Sequence, residues 1–289
     1  MQHWHVSSMK NSVKNKFLTR YLALLFVLGI GSSLAAGQTA KVTEAVNVVE
    51  HGFKESATTP ATVGTPVHDG EYLETGGQSR AALLLPTASI TRLGANTIFN
   101  YSVESNTVDL QAGTILFCKP KDAEQLNIKT AAVTAAIVGT TGFVHVNTDK
   151  AHQKTYIIGL IEGHATAWAD GHPFPIGAGD ILEFKPGSKP FVFAYDVPRF
   201  VKSSPLLTKF KGTLPNQSYI NAEIASYQED ARRGFILSPS HTVDYTGEIP
   251  VLSTTAFDSA MNSQGQPKGN AGNPTPGNPS SPSNPSHGY

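Results

Sequence analysis

The segment Thr107-Val-Asp-Leu-Gln-Ala-Gly-Thr-Ile-Leu-Phe117 contains two short strand-like runs, Thr107 to Leu110 and Thr114 to Phe117, that meet at Gly113. The same Leu-x-x-Gly junction recurs in Leu160-Ile-Glu-Gly163-His-Ala. Glycine tolerates the positive φ that a tight turn requires, and the flanking apolar residues then point to one side of a sheet. The two segments therefore predict a recurring strand-turn-strand unit.

A second pair of segments supports the same interpretation. Pro66 to Thr75 and Pro175 to Phe184 share a proline, then glycine and an acidic residue four and five positions later, then Leu-Glu. Two short echoes do not establish a solenoid, which needs a sustained repeat. They do favour a repetitive β architecture.

Many further strand-like runs lie between residues 38 and 196. They are rich in Val, Ile, Thr, Phe and Ala, they are bounded by Gly, Pro, Asn or Asp, and a spacing of about 8 to 12 residues is typical of all-β folds. We predict a mainly β fold over 38–196, with repetitive twisted antiparallel sheets arranged as a sandwich or a solenoid. The clearest runs are Lys41 to Glu50, Arg80 to Leu85, Ser89 to Leu93, Gly142 to Asn147, Thr155 to Ile161, Ala165 to Ala169, Ile181 to Phe184 and Pro190 to Tyr195.

Residues 197–261 have a helical pattern and are expected to pack on the β domain. Ser204-Pro205 places a hydroxyl at a helix cap and proline at the first helical position, and Gly212 is expected to end this short helix after Lys211. A longer helix is predicted near 218–233, with Asn216 or Ser218 as its cap. Its apolar stripe, expected to face the sheet, consists of Ile220, Ile224, Tyr227 and Ala231.

The two ends of the chain have different compositions. Residues 262–289 repeat Gly-Asn-Pro and Ser-Asn-Pro and contain too little apolar surface to fold, so we predict a disordered tail. Residues 1–35 are predicted to be a signal peptide, because basic residues precede the apolar stretch Tyr21 to Ile30 and small residues follow it. Cleavage is expected after Ala35, with Ala36 as the alternative, and translation starts at Met1 or at Met9.

The apolar stretch is short for a membrane anchor, which is the alternative interpretation. From Tyr21 to Ala36 there are 16 residues, and a helix of that length spans about 24 Å of a hydrocarbon core roughly 30 Å thick. We therefore expect cleavage and no stable membrane insertion of the mature chain. The predicted location is periplasmic or secreted.

Charge and cysteine content exclude several classes of protein. Of the 289 residues 15% are charged, and residues after position 35 carry 18 basic and 22 acidic side chains, a net charge of 18 − 22 = −4. A mildly acidic chain without a basic run is not expected to bind nucleic acid. The single cysteine, Cys118, cannot form an internal disulfide and is expected to be a buried apolar residue rather than a nucleophile.

A search for catalytic spacings finds none of the common motifs, so the sequence predicts no catalytic residue, no cofactor and no metal ligand. The turn Gly139-Thr-Thr-Gly142 lacks the lysine and the helix of a phosphate loop and is expected to be a sharp turn, and Asp170-Gly-His172 is expected to be a hairpin turn. An enzymatic interpretation would require a deep pocket that gathers at least two of five residues. These are His145, His164, His172, Asp170 and Asp180.

The order of the β units resembles the extracytoplasmic domain of the FecR family. That family has an acidic Gly-Glu unit, an apolar run with a short turn, a Leu-x-x-Gly unit, apolar residues before Gly-Thr-x-Phe, and a closing Gly strand pair. The resemblance covers about residues 38–190 and departs from the family at the extra residue before Phe143. The counterparts are Gly70 to Thr75, Ala81 to Leu93, Val108 to Phe117, Ala132 to Phe143, Ile158 to Ala165, and Gly179-Asp180.

The resemblance implies an extracytoplasmic β domain that receives signals through protein contact. Because at most 20 residues precede the apolar stretch, we expect no cytoplasmic anti-sigma segment. The leading hypothesis is a non-catalytic, exported interaction or signal-reception module that binds an envelope protein. The alternative is a structural cell-surface or matrix protein that contacts polysaccharide.

Overall fold

The structure is a computed structural model that describes residues 39–234 and 243–252. The predicted signal peptide over 1–35 and the predicted tail over 262–289 lie outside these ranges. The described chain is predominantly β, with helices that follow the strands, as the sequence predicts.

The strands form two layers, sheet A and sheet B, that share the long strand β9. Each sheet has an inner face toward the other sheet and an outer face. In spatial order sheet A contains β4 (Pro66–Val67), β1 (Ala40–Val46), β6 (Arg80–Leu84), β7 (Ile90–Leu93), the second half of β9 (Thr107–Cys118), β12 (Thr141–Thr148), β13 (Lys154–Glu162), β16 (Asp180–Phe184) and β17 (Phe191–Ala194). Sheet B contains β3 (Thr59–Pro60), β2 (Val49–Gly52), β5 (Tyr72–Thr75), β8 (Ile98–Ser102), the first half of β9, β10 (Leu126–Lys129), β11 (Val133–Ile137), β14 (His164–Ala169) and β15 (His172–Gly177).

The two Leu-x-x-Gly glycines mark corners where the chain passes from one sheet to the other. Gly113 lies within β9, between the part paired in sheet B and the part paired in sheet A, and Gly163 joins β13 to β14. Their φ values are +84° and +81°. A Cβ at Gly113 would lie 2.6 Å from the Asn96 carbonyl oxygen, so glycine is required there by contact as well as by conformation. The predicted turn is therefore a corner between layers rather than a hairpin.

The main hydrophobic core fills the space between the inner faces. It combines sheet A residues such as Leu83 and Ile158 with sheet B residues such as Leu73 and Phe99, all of them fully buried. Alternation of inward and outward side chains along each strand places these residues in one layer.

Two details differ from the predicted sheets. The run Lys41 to Glu50 is two strands, because Asn47 has φ 61° and turns the chain from sheet A into sheet B. The strand pairs are antiparallel, as predicted, except for β9 and β10, which are parallel. Residues 119–125 return from the sheet A end of β9 to its beginning, so β10 starts beside Thr107 and runs in the same direction.

Three helices follow the strands: α1 (Val197–Ser203), α2 (Pro205–Thr208) and α3 (Gln217–Arg232). Ser204 caps α2 by accepting a hydrogen bond from the Leu206 amide, as predicted. The helix ends at Thr208 rather than at Lys211, and the Leu206 carbonyl in its last turn accepts a bond from the Arg92 side chain. A short hairpin of β18 (Val243–Asp244) and β19 (Val251–Leu252) completes the described chain.

The residues 197–234 and 243–252 are called the extension below, and they cover the outer face of sheet A. A second hydrophobic cluster joins Leu116, Phe143 and Ile181 of the sheet to Phe200 and Ile220 of the extension. The predicted stripe of α3 is buried only in its first part: Ile220 is fully buried, whereas Ala231 is exposed.

Candidate interaction surfaces

An aromatic contact holds α1 against sheet A. The ring centroid of Phe143 lies 4.9 Å from that of Phe200 and 5.8 Å from that of Tyr195. The Tyr195 hydroxyl donates a 2.8 Å hydrogen bond to the Leu160 carbonyl, which satisfies its polar atom within the apolar cluster. The beginning of the extension is therefore fixed both by aromatic packing and by a directional hydrogen bond.

A buried polar cluster holds the beginning of α3. Asn216 occupies the N-cap position but makes no side-chain cap hydrogen bond. Its amide instead donates to the Glu162 carboxylate at 2.7 Å and to the Lys119 carbonyl at 2.9 Å, and Thr141 donates to the same carboxylate at 2.9 Å. Because Glu162 is only 3% exposed, loss of these donors would leave a buried carboxylate without compensation.

Cys118 lies beside this cluster and is buried, as the sequence predicts. Burial raises the pKa of its thiol, although a hydrogen bond with Thr141 opposes the shift. A buried thiol with a raised pKa is a poor nucleophile.

Arg92 on β7 connects the sheet to the segment between α2 and α3. Its guanidinium donates to the Leu206 carbonyl at 2.9 Å and to the Gly212 carbonyl, and it lies over the Phe210 ring with 4.8 Å between Cζ and the centroid. Arg92 is 3% exposed, and burial lowers its pKa while the nearby Cys118 and Glu44 oppose that shift. A planar cation with several donors is suited to bridging carbonyl groups in this way.

The segment 243–252 is held by three polar contacts. The Tyr245 hydroxyl accepts a 2.7 Å bond from the Asp196 amide. Ser204 donates to the Glu248 carbonyl at 2.8 Å, and the Glu248 carboxylate accepts from the Ala95 amide at 2.8 Å. The extension is therefore attached at both of its described ends.

One end of the outer face of sheet A remains open, and we call it the basic groove. It is a cavity of about 310 Å³ between the strands β1, β6 and β7 and the segment 210–213. Arg80 donates from Nε to the Glu44 carboxylate at 3.3 Å, and the second oxygen of Glu44 accepts from the Lys211 amide at 3.0 Å. The residues that line the groove include Glu44, Val46, Val63, Arg80, Phe210 and Lys211.

The outer face of sheet B carries mostly polar side chains. One row across five neighbouring strands consists of Asn100, Asp109, Lys129, Thr134 and Trp168, as the strand register shows. Asp109 and Lys129 pair at 4.0 Å, so the row has no net charge. Trp168 is 39% exposed at one end of this row.

Prolines occupy several strands at the sheet edges. Pro60 lies in β3, Pro66 in β4, and both Pro173 and Pro175 in β15. Proline lacks the amide donor of a β ladder, so these edges are poor partners for another strand. Within the described ranges, β17 and the segment Thr43 to Val46 of β1 are edges without proline.

The five residues that an enzymatic interpretation would need are not gathered in one pocket. His145 lies on β12 in sheet A, whereas His164 and His172 lie on β14 and β15 in sheet B. None of the five lines the cavity beside Tyr227, the cavity beside Arg80 or the cavity beside Leu207. No cluster of three or more metal-binding side chains occurs within 39–234 and 243–252.

Asp170 and His172 belong to a hairpin turn, as predicted. Asp170 and Gly171 have φ values of 51° and 73°, the conformation of a two-residue turn that matches the twist of the strands. The His172 ring bonds to the Asp170 carbonyl at 2.7 Å. Asp180 accepts a bond from the Gly177 amide at 2.9 Å, which stabilises the corner before β16.

His145 is mostly buried and hydrogen bonds through Nδ1 to the Thr114 hydroxyl at 2.9 Å. Burial lowers the pKa of its imidazole from 6.5 to about 4, while a hydrogen bond with the Gly113 backbone opposes the shift. The ring is therefore neutral at physiological pH.

None of the three helices in the described part of the chain combines the length and apolar character that crossing a membrane requires.

Comparison with known proteins gives one family match. Residues 71–166 match the family model described as FecR protein, which confirms the resemblance for the ten strands from β5 to β14. No curated protein matches the chain. Two crystal structures of a candidate anti-sigma factor from Parabacteroides distasonis are similar at 11% and 12% identity, each with a TM-score of 0.39. They cover 47% and 67% of this chain, and 68% and 91% of their own.

Proposed function

We propose that this FecR-domain protein is an exported, non-catalytic module that receives signals or binds a partner by protein contact in the bacterial cell envelope. The observation that carries the proposal is the family match over residues 71–166, which spans strands of both sheets. The domain that the family uses for reception is thus the central part of the sandwich.

The surfaces described above support contact rather than turnover. The extension covers most of the outer face of sheet A, and the cavities described above are lined by none of the five residues that an enzymatic interpretation would need. The basic groove and the edge of β17 are the places where an extended partner has backbone and side chains to bind. Sheet edges of this kind commonly accept an added strand.

Export is supported by the pattern of residues 9–36. N-terminal sequencing of the protein recovered from its native host tests this part of the proposal. A mature chain that begins at Ala36 or Gly37 is expected. A chain that keeps its first 35 residues and stays with the cytosolic fraction would contradict export.

Partner binding is tested by photo-cross-linking in living cells. A photoreactive amino acid replaces Val46 in the groove, Val192 on β17, or exposed Lys150 as a matched control, one position at a time. We expect an adduct with one envelope protein from a groove or edge position and none from the control. Absence of any adduct, together with turnover of a small molecule by the purified chain, would overturn the proposal.

Trp168 favours a second candidate function, a structural protein that contacts neutral polysaccharide. An exposed indole at the end of a polar row with no net charge offers a flat apolar surface flanked by hydrogen-bonding groups. Cell fractionation distinguishes the candidates. Recovery mainly in a matrix or cell-wall fraction, lost in Trp168→Ala, would support the polysaccharide function over protein contact.

A further inference from the structure

The basic groove carries more positive charge than its own side chains neutralise. Arg80, Arg92 and Lys211 contribute three cations and Glu44 one anion, a local charge of 3 − 1 = +2. The chain after residue 35 has a net charge of −4, so this excess is a local property and not a general one. An electropositive cleft favours association with anionic groups.

Two of the three cations have donors available. Arg92 is 3% exposed and already bridges the Leu206 and Gly212 carbonyl groups, so its guanidinium is not open to a partner. Arg80 binds Glu44 through Nε only, and its two terminal amino groups have no hydrogen-bond partner among residues 39–234 and 243–252. The Lys211 ammonium likewise has none in the described chain, because Lys211 contacts Glu44 through its backbone amide.

The same groove borders an open strand edge. β1 pairs with β4 at Ala40 and Lys41, and Val42 bonds to residues 64 and 65 of the adjoining loop. From Thr43 to Val46 it pairs, among the described residues, with β6 only. These four residues line the groove, and Val63, which is 66% exposed, lines it as well.

The cavity is large enough for a side chain of a bound peptide. At about 310 Å³ it lies at the lower limit of ordinary ligand pockets, roughly 300 to 1,000 Å³. Strand addition at an edge characteristically combines main-chain hydrogen bonds with a pocket for an alternate side chain.

We propose that the basic groove binds an extended acidic segment of a partner polypeptide. The backbone of the segment pairs with the β1 edge between Thr43 and Val46, and one of its carboxylates binds Arg80 and Lys211. Aliphatic side chains of the segment contact Val46 and Val63. This inference rests on the proposed function and adds the chemistry of the partner to it.

The experiment uses a displayed library of random nonapeptides, panned against the purified mature chain. Enriched peptides are synthesised with blocked ends and their affinity is measured by calorimetry at low and high salt. We expect enriched sequences to contain Asp or Glu among aliphatic residues, and to bind more weakly as salt increases. Amide resonances of Glu44 to Val46 and of Lys211 are expected to shift on binding.

Variants separate charge recognition from general effects. Arg80→Gln combined with Lys211→Gln removes both available cations and should weaken binding about tenfold, the magnitude of a charge-assisted hydrogen bond. Lys150→Gln combined with Lys154→Gln removes the same charge at two exposed positions, one on the turn after β12 and one at the start of β13, and should leave affinity unchanged. Lys211→Glu is the second test, for use where the double variant folds poorly. It reverses the charge of an exposed loop residue and keeps Arg80 with its partner Glu44. It should abolish binding of acidic peptides.

Three outcomes would overturn the inference: no peptide is enriched, the enriched peptides are neutral or basic, or acidic peptides bind the double variant as well as the wild type. Failure here is distinguishable from failure of the proposed function. A partner that cross-links at Val192, with no acidic peptide bound at the groove, would refute the groove and retain the function. A chain that is not exported and forms no adduct would refute the function itself.

Discussion

Replacing His145 with asparagine should remove a pH dependence of stability that the wild type possesses. An asparagine side chain does not titrate, and its amide can still bond to the Thr114 hydroxyl. In the native protein this hydroxyl lies 2.9 Å from Nδ1 of the His145 ring. The native imidazole has a pKa of about 4 when folded, against 6.5 for an ordinary histidine. The unfolded chain therefore binds a proton at His145 between these two pH values, and the folded chain does not.

The sign follows from this difference in proton binding. Because the unfolded state holds more protons, the free energy of unfolding falls as pH decreases from 6.5 to about 4 and is unaffected by His145 above that range. The difference of about 2.5 between the two pKa values corresponds to roughly 3 kcal/mol below pH 4, and at pH 5 the loss is about 2 kcal/mol. Stability of the wild type should thus decline on acidification by this amount relative to His145→Asn.

Glu183 is a second buried group with a shifted pKa, so the pH dependence of the wild type has to be compared with that of the variant. Burial raises the pKa of Glu183, with Lys185 opposing the shift, and a raised carboxyl pKa changes stability with the opposite sign. Glu183 is present in both proteins, so its contribution cancels in the difference.

Urea unfolding of the mature chain at intervals from pH 5 to pH 8 measures this effect. Thr114→Val serves as the matched control, since it removes the hydrogen-bond partner of His145 but keeps the imidazole. The control should lower stability at every pH and retain the acid dependence. If the wild type and His145→Asn gave parallel curves over this range, the buried and neutral imidazole would be refuted.

Three other experiments test the packing of the chain. Asn216→Ala leaves the Glu162 carboxylate short of a donor, so we expect a loss of about 1 to 3 kcal/mol, measured by thermal unfolding, and earlier proteolysis within the extension. Gly113→Ala should cost roughly 3 kcal/mol or more, because it combines a positive φ with overlap of the new Cβ and the backbone. Gly171→Ala likewise has a positive φ but open space around it, so it should cost about 1 to 2 kcal/mol. Equal losses of stability in urea unfolding would contradict this contrast. Cys118 should react with a thiol reagent at pH 8 only when urea unfolds the chain, because it is buried, and rapid labelling of the folded protein would show that it is accessible.

Local features of the fold could be predicted from sequence because their causes are local. Ser204-Pro205 has the hydroxyl and the fixed φ that begin a helix, and the structure has α2 there. Gly113 and Gly163 were recognisable as turns because glycine adopts positive φ at little cost. Their role as corners between two sheets was not recognisable, since that depends on which strands pair on either side.

The polar residues that hold the extension could not be predicted for the same reason. Asn216 bonds to Lys119, which is 97 residues away in sequence, and Arg92 bonds to Leu206, which is 114 residues away. Asn216 has the sequence features of a helix cap, and its tertiary contacts override that local preference. The parallel pairing of β9 with β10 is non-local in the same sense, because it depends on the path of residues 119–125.

The difference between the two outer faces does have a signal in the sequence. From Tyr156 to Glu162 every residue of β13 is buried, and a strand with a continuous apolar run needs cover on both faces. In β14, buried residues alternate with exposed or half-buried ones, as is typical of a sheet with one face toward solvent. The pattern of β13 therefore requires an additional layer on sheet A, and the helical segment that follows the strands supplies it. With most of that face covered by the extension, the surfaces that the described residues leave open include the basic groove at its end, the β17 edge and the polar face that contains Trp168.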